Sequence, residues 1–188
     1  MPASSVAIAS TSSLTLRRAI AVTLGVLFVA AAAQIAVPLP GTPVPMTLQP
    51  LAVLIVGGLL GPALGASTLV LYLALGAMGL PVFTPLGLPG ALRLIGPTGG
   101  YLLSYPIAAY AVGKIAGDGT RLARIAAGAL AGLLLIHLGG LVQLALLTGS
   151  TAAAARLGTW PFLLGDLGKL VIAVLALAPS IRPLRARL

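Results

Sequence analysis

The sequence predicts an all-α membrane protein: six transmembrane helices, two Pro/Gly-rich outer loops capping a ligand pocket, and both termini in the cytoplasm. Three observations predict it. Hydrophobic residues make up 59% of the 188 residues, and mean hydropathy is +1.14. Charged residues amount to 7%, where a soluble domain carries roughly 25%. Apolar runs approaching the ~20 residues needed to cross a bilayer recur along the chain, and prolines and glycines gather between them.

Residues 1–16 are Ser/Ala-rich and uncharged and read as a disordered cytoplasmic tail, without the basic start or small-residue cleavage site of a signal peptide. The membrane domain covers 17–180. Its first span, 19–37, follows Arg17 and Arg18. Five prolines among residues 38–50 cannot continue a helix, because each removes a donor and crowds the preceding turn. This segment reads as an extended or polyproline-like loop. A second span, 49–60, turns at Gly61-Pro62 into a third, 63–79. Residues 80–97 are apolar but broken by Pro and Gly, the pattern of a loop folded over protein. The fourth span is 98–116, and Gly117-Asp118-Gly119-Thr120 leads into a fifth, 125–147. Residues 148–159 hold an Ala-rich amphipathic turn. The sixth span is 160–178, and 181–188 form a basic cytoplasmic tail.

With the N-terminus inside, the cytoplasmic ends hold Arg17, Arg18, Lys114, Arg121, Arg124, Arg182, Arg185 and Arg187, against Arg93 and Arg156 outside. That asymmetry is the positive-inside pattern. It accounts for the net charge of +9 without nucleic acid, since the basic residues flank apolar spans. Cysteine is absent, and the chain has one His and two acids. Disulfide frameworks, thiol nucleophiles and transition-metal chemistry are therefore disfavoured. No phosphate-binding Gly-rich loop followed by Lys-Ser/Thr occurs, so the chain itself hydrolyses no nucleotide. No cofactor is implied, and Ser/His/acid groupings that would suggest an intramembrane enzyme are lacking.

The most informative residues are Asp166 and Lys169, three apart in an otherwise apolar span. Residues i and i+3 share a helix face, and an ionisable pair inside a span points to a ligand or ion site. An internal ion pair tethering the sixth helix is the plainer alternative. Arg93 is a lone charge in the second outer loop, fit for a carboxylate or for snorkelling to headgroups. At the loop-to-helix junction, Thr98, Gly99 and Gly100 offer free N–H groups, although the glycines equally suit close helix packing. Tyr101 presents a flat face and a hydroxyl to a ring-shaped ligand. Gln49 supplies an amide at the start of the second span. Phe83 and Trp160 are pocket-wall candidates, with a membrane-belt role competing for Trp160. His137 reads as a hydrogen-bonding core histidine. Gly25 and Ala30, Ala31, Ala32 and Ala33 form a small-residue face for docking a partner helix or for internal packing.

The runs Val44-Pro-Met-Thr-Leu-Gln49, Gly57-Gly-Leu-Leu-Gly61, Gly79-Leu-Pro-Val-Phe83, Gly96-Pro-Thr-Gly-Gly-Tyr101 and Gly165-Asp-Leu-Gly-Lys169 resemble the BioY family. These are the biotin-specific substrate-binding (S) components of energy-coupling factor (ECF) transporters, and the resemblance covers nearly all of 17–180. It implies a multi-pass protein of a bacterial or archaeal plasma membrane that binds biotin from outside with high affinity. The implied partners are a transmembrane coupling protein and two cytoplasmic ATPases. Asp166 and Lys169 match the family's late charged pair, and Tyr101 its helix-four aromatic. Residues 84–93 depart from the family pattern, with prolines in place of a glycine run. Biotin's ureido ring offers N–H donors and a carbonyl, its bicycle is apolar, and its carboxylate needs a cation, either Arg93 or Lys169. An S component for another small vitamin and a structural membrane subunit are the competing readings.

Overall fold

A computed structural model of the chain describes residues 3–188, with side chains from Leu14 onward. Its helices are α1 (Ala3–Gln34), α2 (Gln49–Leu60), α3 (Pro62–Ala77), α4 (Leu92–Ile95), α5 (Gly99–Ala116), α6 (Leu122–Thr148), α7 (Thr151–Gly158) and α8 (Leu163–Arg185). A 3-10 turn, Trp160–Phe162, joins the last two. Three segments are long and apolar enough to cross a membrane: Leu14–Gln34, Leu122–Thr148 and the run Thr151–Arg185. The expected second and third spans are shorter helices of 12 and 16 residues. At 1.5 Å per residue, α2 reaches only about 18 Å.

Four expectations are revised. The helix α1 starts at Ala3, within the stretch read as a disordered tail; the first two residues of that stretch lie outside the described residues. No glycine or proline interrupts the chain between Ala3 and Gly25, so nothing local halts the helix. The proline-rich segment is not wholly irregular: β1 (Ala36–Val37) pairs with β2 (Met46–Thr47) as a short antiparallel hairpin. The first span therefore ends at Gln34 and the chain turns extended before Pro38. Finally, α8 runs through Pro179 and Pro183 to Arg185, into the supposed tail. Tertiary packing offsets the helix-breaking cost. Ile181 is fully buried, and Arg185 donates to the carbonyls of Gly58 and Gly117.

The long helices pack through glycines. A methyl at Gly100 of α5 would overlap the Gly139 carbonyl of α6, and one at Gly139 would overlap the Gly100 carbonyl. On α2, Gly57 sits against the backbone of Ala109 in α5. Small residues let helix backbones approach where lipid supplies no hydrophobic drive for association. In α8 the inward row is Asp166, Lys169, Ala173, Leu177 and Ile181, whereas Leu164, Leu167, Ile172 and Leu175 are exposed. That division places the polar groups inside the bundle and an apolar surface outside it.

The α5–α6 turn lies at the end of the bundle that carries most of the arginines. Asp118 there accepts from the Thr120 hydroxyl (2.8 Å) and amide (3.1 Å). These bonds hold its carboxyl below the usual carboxylate range. At the opposite end sit the hairpin, the 80–98 loop, α7 and the start of α8.

The glycine contacts set an expectation for stability. Replacing Gly57 with Leu overpacks the α2–α5 contact, and the expected cost is about 1–3 kcal/mol. The check is the thermal unfolding midpoint in detergent. A midpoint equal to that of the wild type would contradict the close approach.

Candidate functional site

A cavity of about 50 Å³ lies beneath the hairpin and the 80–98 loop, in a space of about 550 Å³ that takes in open solvent at its mouth. Four helices present polar groups to it, beside Thr47 of β2 and Thr84 of the loop. The first helical residue of α2 brings Gln49, the N-cap of α5 brings Thr98, α6 brings His137, and the first turn of α8 brings Asp166 with Lys169 behind it. Val44, Phe83, Tyr101, Tyr105 and Phe162 complete much of the apolar wall. Three helix N-termini thus converge on one space, and their partial positive charge favours an acceptor or anion there.

Asp166 is the hub. Its Oδ1 accepts from Lys169 Nζ at 2.8 Å, and its Oδ2 pairs with His137 Nε2 at 2.6 Å. A carboxylate can only accept, so the His137 hydrogen sits on Nε2. Both carboxylate oxygens are engaged, and the Asp166 and Lys169 side chains are only 7% and 6% exposed. The two groups neutralise one another, and both also line the cavity. His137 gains an acid partner that the sequence did not reveal. The two residues stand 29 apart on different helices, so no local spacing announces the contact. The available cue was that a lone histidine and a lone acid in apolar spans each need a partner.

Around this hub the wall is fixed by hydrogen bonds. Gln49 Nε2 donates to the Tyr72 hydroxyl (2.7 Å), which donates to the Val82 carbonyl (2.9 Å). The Tyr101 hydroxyl donates to the Gly158 carbonyl (2.6 Å), and its ring lies against Gly140, where a methyl would overlap it. Tyr101 also meets the His137 ring edge-to-face at 6.1 Å. Phe83 packs edge-to-face on Tyr72 at 5.5 Å. Two buried polar atoms of lining residues, Thr84 Oγ1 and His137 Nδ1, have no hydrogen-bond partner among the described residues. An unpartnered buried polar group costs about 1–3 kcal/mol, an incentive for a ligand or water to supply the missing bond.

Six sequence-derived candidates line the cavity: Asp166, Lys169, Tyr101, Gln49, Thr98 and Phe83. Four do not. Arg93 is buried, and its guanidinium donates to the carbonyls of Thr84, Leu86 and Leu88, so it pins the loop from within. Gly99 and Gly100 pack on Leu94, Gln143 and the Gly139 backbone. Trp160 is 67% exposed, in keeping with an interfacial ring. Sequence reasoning missed Thr84, Tyr105 and Phe162, which carry no motif, and Thr47, which lies in the Val44–Gln49 run without having been singled out. It also missed Gln143, whose amide staples the loop through the Leu94 and Gly96 carbonyls. Of the proposed docking face, Gly25, Ala32 and Ala33 are buried, and Gly25 abuts Thr68 of α3. Only Ala31 is exposed and Ala30 half-buried.

The BioY family profile matches residues 6–187. The chain belongs to the BioY family. A probable biotin transporter BioY of Pyrococcus horikoshii is 42% identical over 134 residues, 71% of this chain and 78% of the relative. The biotin transporter BioY of Thermotoga maritima is 39% identical over 137 residues, covering 73% and 80%. The fold is similar to the crystal structure of an S component for biotin from an ECF-type ABC transporter. The TM-score is 0.74 at 23% identity, over 92% of both chains. Apolar helices and transporter relatives together make this BioY-family chain a membrane protein with a non-enzymatic, substrate-binding role.

The hub predicts a non-additive stability pattern. Asp166→Leu strands a buried ammonium and is expected to cost about 3–5 kcal/mol. Asp166→Leu with Lys169→Leu is expected to recover part of that loss. Thermal unfolding of the single and double variants checks it, and a double variant no more stable than Asp166→Leu would contradict the pairing.

Proposed function

We propose that this chain binds biotin and serves as the substrate-specific membrane component of an ECF-type transporter. The observation that carries the reading is a buried Asp–Lys–His floor beneath an apolar, loop-capped cavity in a BioY-family chain. The names of its relatives support the choice of ligand. In this reading the chain crosses the membrane six times, and the short helices α2 and α3 are two of the crossings. Both termini lie on the cytoplasmic side, and the capped cavity opens outward. Eight of the eleven Lys and Arg residues then fall at the cytoplasmic ends, which supports this orientation. As the family resemblance implies, a coupling protein and two ATPase subunits supply the energy in this reading.

The chemistry assigns the two ends of the ligand. Asp166 accepts only, so it pairs with a donor and repels the ligand's carboxylate. Biotin's ureido N–H groups are such donors, and Lys169, one turn away, can give its ammonium to the ureido carbonyl. The thioether-bearing bicycle packs on Tyr101, Phe83 and Phe162. The carboxylate then lies away from Asp166, toward the N-termini of α2 and α5, where the Thr98 hydroxyl and the positive ends of the helix dipoles favour an anion. A site built of matched, desolvated polar groups rejects analogues lacking one of them. The hairpin and the 80–98 loop must yield for entry, and Arg93 acts by shaping that loop.

Isothermal titration of the detergent-solubilised protein is expected to show tight biotin binding. Asp166→Asn is expected to weaken it about ten- to a hundredfold, the loss of one bond to a charged group. Silence toward biotin with a response to another vitamin in the same assay would move the assignment to a different S component. Silence toward every small molecule, with ATPase subunits co-purifying, would favour a structural subunit.

A further inference from the structure

Both oxygens of Asp166 are engaged: Oδ1 holds Lys169 Nζ and Oδ2 holds His137 Nε2, so an incoming ligand N–H shares the carboxylate's remaining lone pairs with these donors or takes the place of one of them. The two partners differ in freedom. Lys169 carries three hydrogens on a flexible four-carbon stem, and it shares α8 with Asp166. His137 is a planar ring on α6 that offers Asp166 a single nitrogen, and its face is set by the edge-to-face contact with Tyr101. Turning the ring away would break that contact and leave both of its nitrogens without partners, since Nδ1 already has none among the described residues. An ammonium that swings from Oδ1 to a ligand carbonyl remains hydrogen-bonded throughout.

We propose that His137 is the positioning residue of the site: it keeps hold of Asp166 Oδ2 while Lys169 releases Oδ1 and turns to the ligand. The inference rests on the biotin-binding reading above and deepens it. Asp166 then presents Oδ1 to an incoming N–H from a fixed rotamer. Lys169 moves a fraction of its length to meet the neighbouring acceptor. The carboxylate is never left with fewer than two donors, so the exchange avoids an uncompensated buried charge. His137 itself need not touch the ligand.

The test is biotin titration of His137→Phe and His137→Gln, alone and combined with Asp166→Asn, each alongside its ligand-free melting temperature. His137→Phe is expected to weaken binding about tenfold or more, and His137→Gln, which keeps a donor at the Nε2 position, to restore most of it. In the Asp166→Asn background His137→Phe is expected to add little, because its effect passes through the carboxylate. Wild-type affinity in His137→Phe, no rescue by Gln, or full additivity would each overturn the inference. Should both variants fail to fold, the wild type still decides. The chain has one histidine, so its Nε2–H proton resonance is unambiguous and is expected to stay far downfield with and without biotin. Loss of that signal on adding biotin would mean that His137 is the partner that leaves. Wild-type protein that ignores biotin takes the functional reading and this inference down together. Wild-type binding with an indifferent His137→Phe removes the inference alone.

Discussion

The whole arrangement depends on one buried carboxylate that shares its two oxygens between an ammonium and an imidazole. Asp166 cannot face lipid without a large free-energy cost, so α8 must turn this face toward the bundle. Once it does, the inward row from Asp166 through Lys169, Ala173 and Leu177 to Ile181 follows at helical spacing. The exposed leucines fall on the other side without further instruction. His137 then ties α8 to α6 at the height of the cavity. The same three groups that orient the helix form the floor of the cavity.

The cap over that floor is a second consequence of polar groups seeking partners. Two loops rich in proline are short of backbone donors for their own carbonyls, because proline donates nothing. Side chains from the loop itself and from the surrounding helices supply the missing bonds. Arg93 serves three carbonyls of its own loop, Gln34 of α1 reaches the Phe83 carbonyl, and Gln143 of α6 reaches Leu94 and Gly96. The hairpin is tied to α7 by Thr42 donating to the Leu157 carbonyl at 2.6 Å. Irregular backbone near a membrane is tolerated when it is bonded to protein in this way. Each staple is one side chain, so the cap is ordered yet separable from the helices beneath it.

Opposite the cavity, the packing is held by a different device. Arg185 of α8 reaches carbonyls at the ends of α2 and α5, where glycines leave room for its guanidinium. A positively charged group at helix C-termini complements their dipoles. This explains why two prolines fail to end α8: the last turns are anchored from outside the helix. The floor of the cavity and the basic end of the bundle are thus joined by one continuous helix.

Composition and order along the chain settled a good deal. The apolar character, the helices, the interrupting loops, the asymmetric charge and the inward pairing of Asp166 with Lys169 follow from hydropathy, proline chemistry and helical spacing, all of which act within a few residues. The family motifs also lie within short runs. Contacts between distant segments were out of reach of such rules. No spacing joins His137 to Asp166, and no motif marks Tyr105, Thr84 or Phe162 as wall residues. Arg93 read as a free cation because its carbonyl partners become acceptors only after the loop folds back. The small-residue face of α1 read equally as docking surface or packing seam, and Thr68 of α3 fills part of it. Local physics determined which groups could not face lipid; the tertiary fold decided which partner each one found, because that choice depends on distances between helices that sequence separation does not encode.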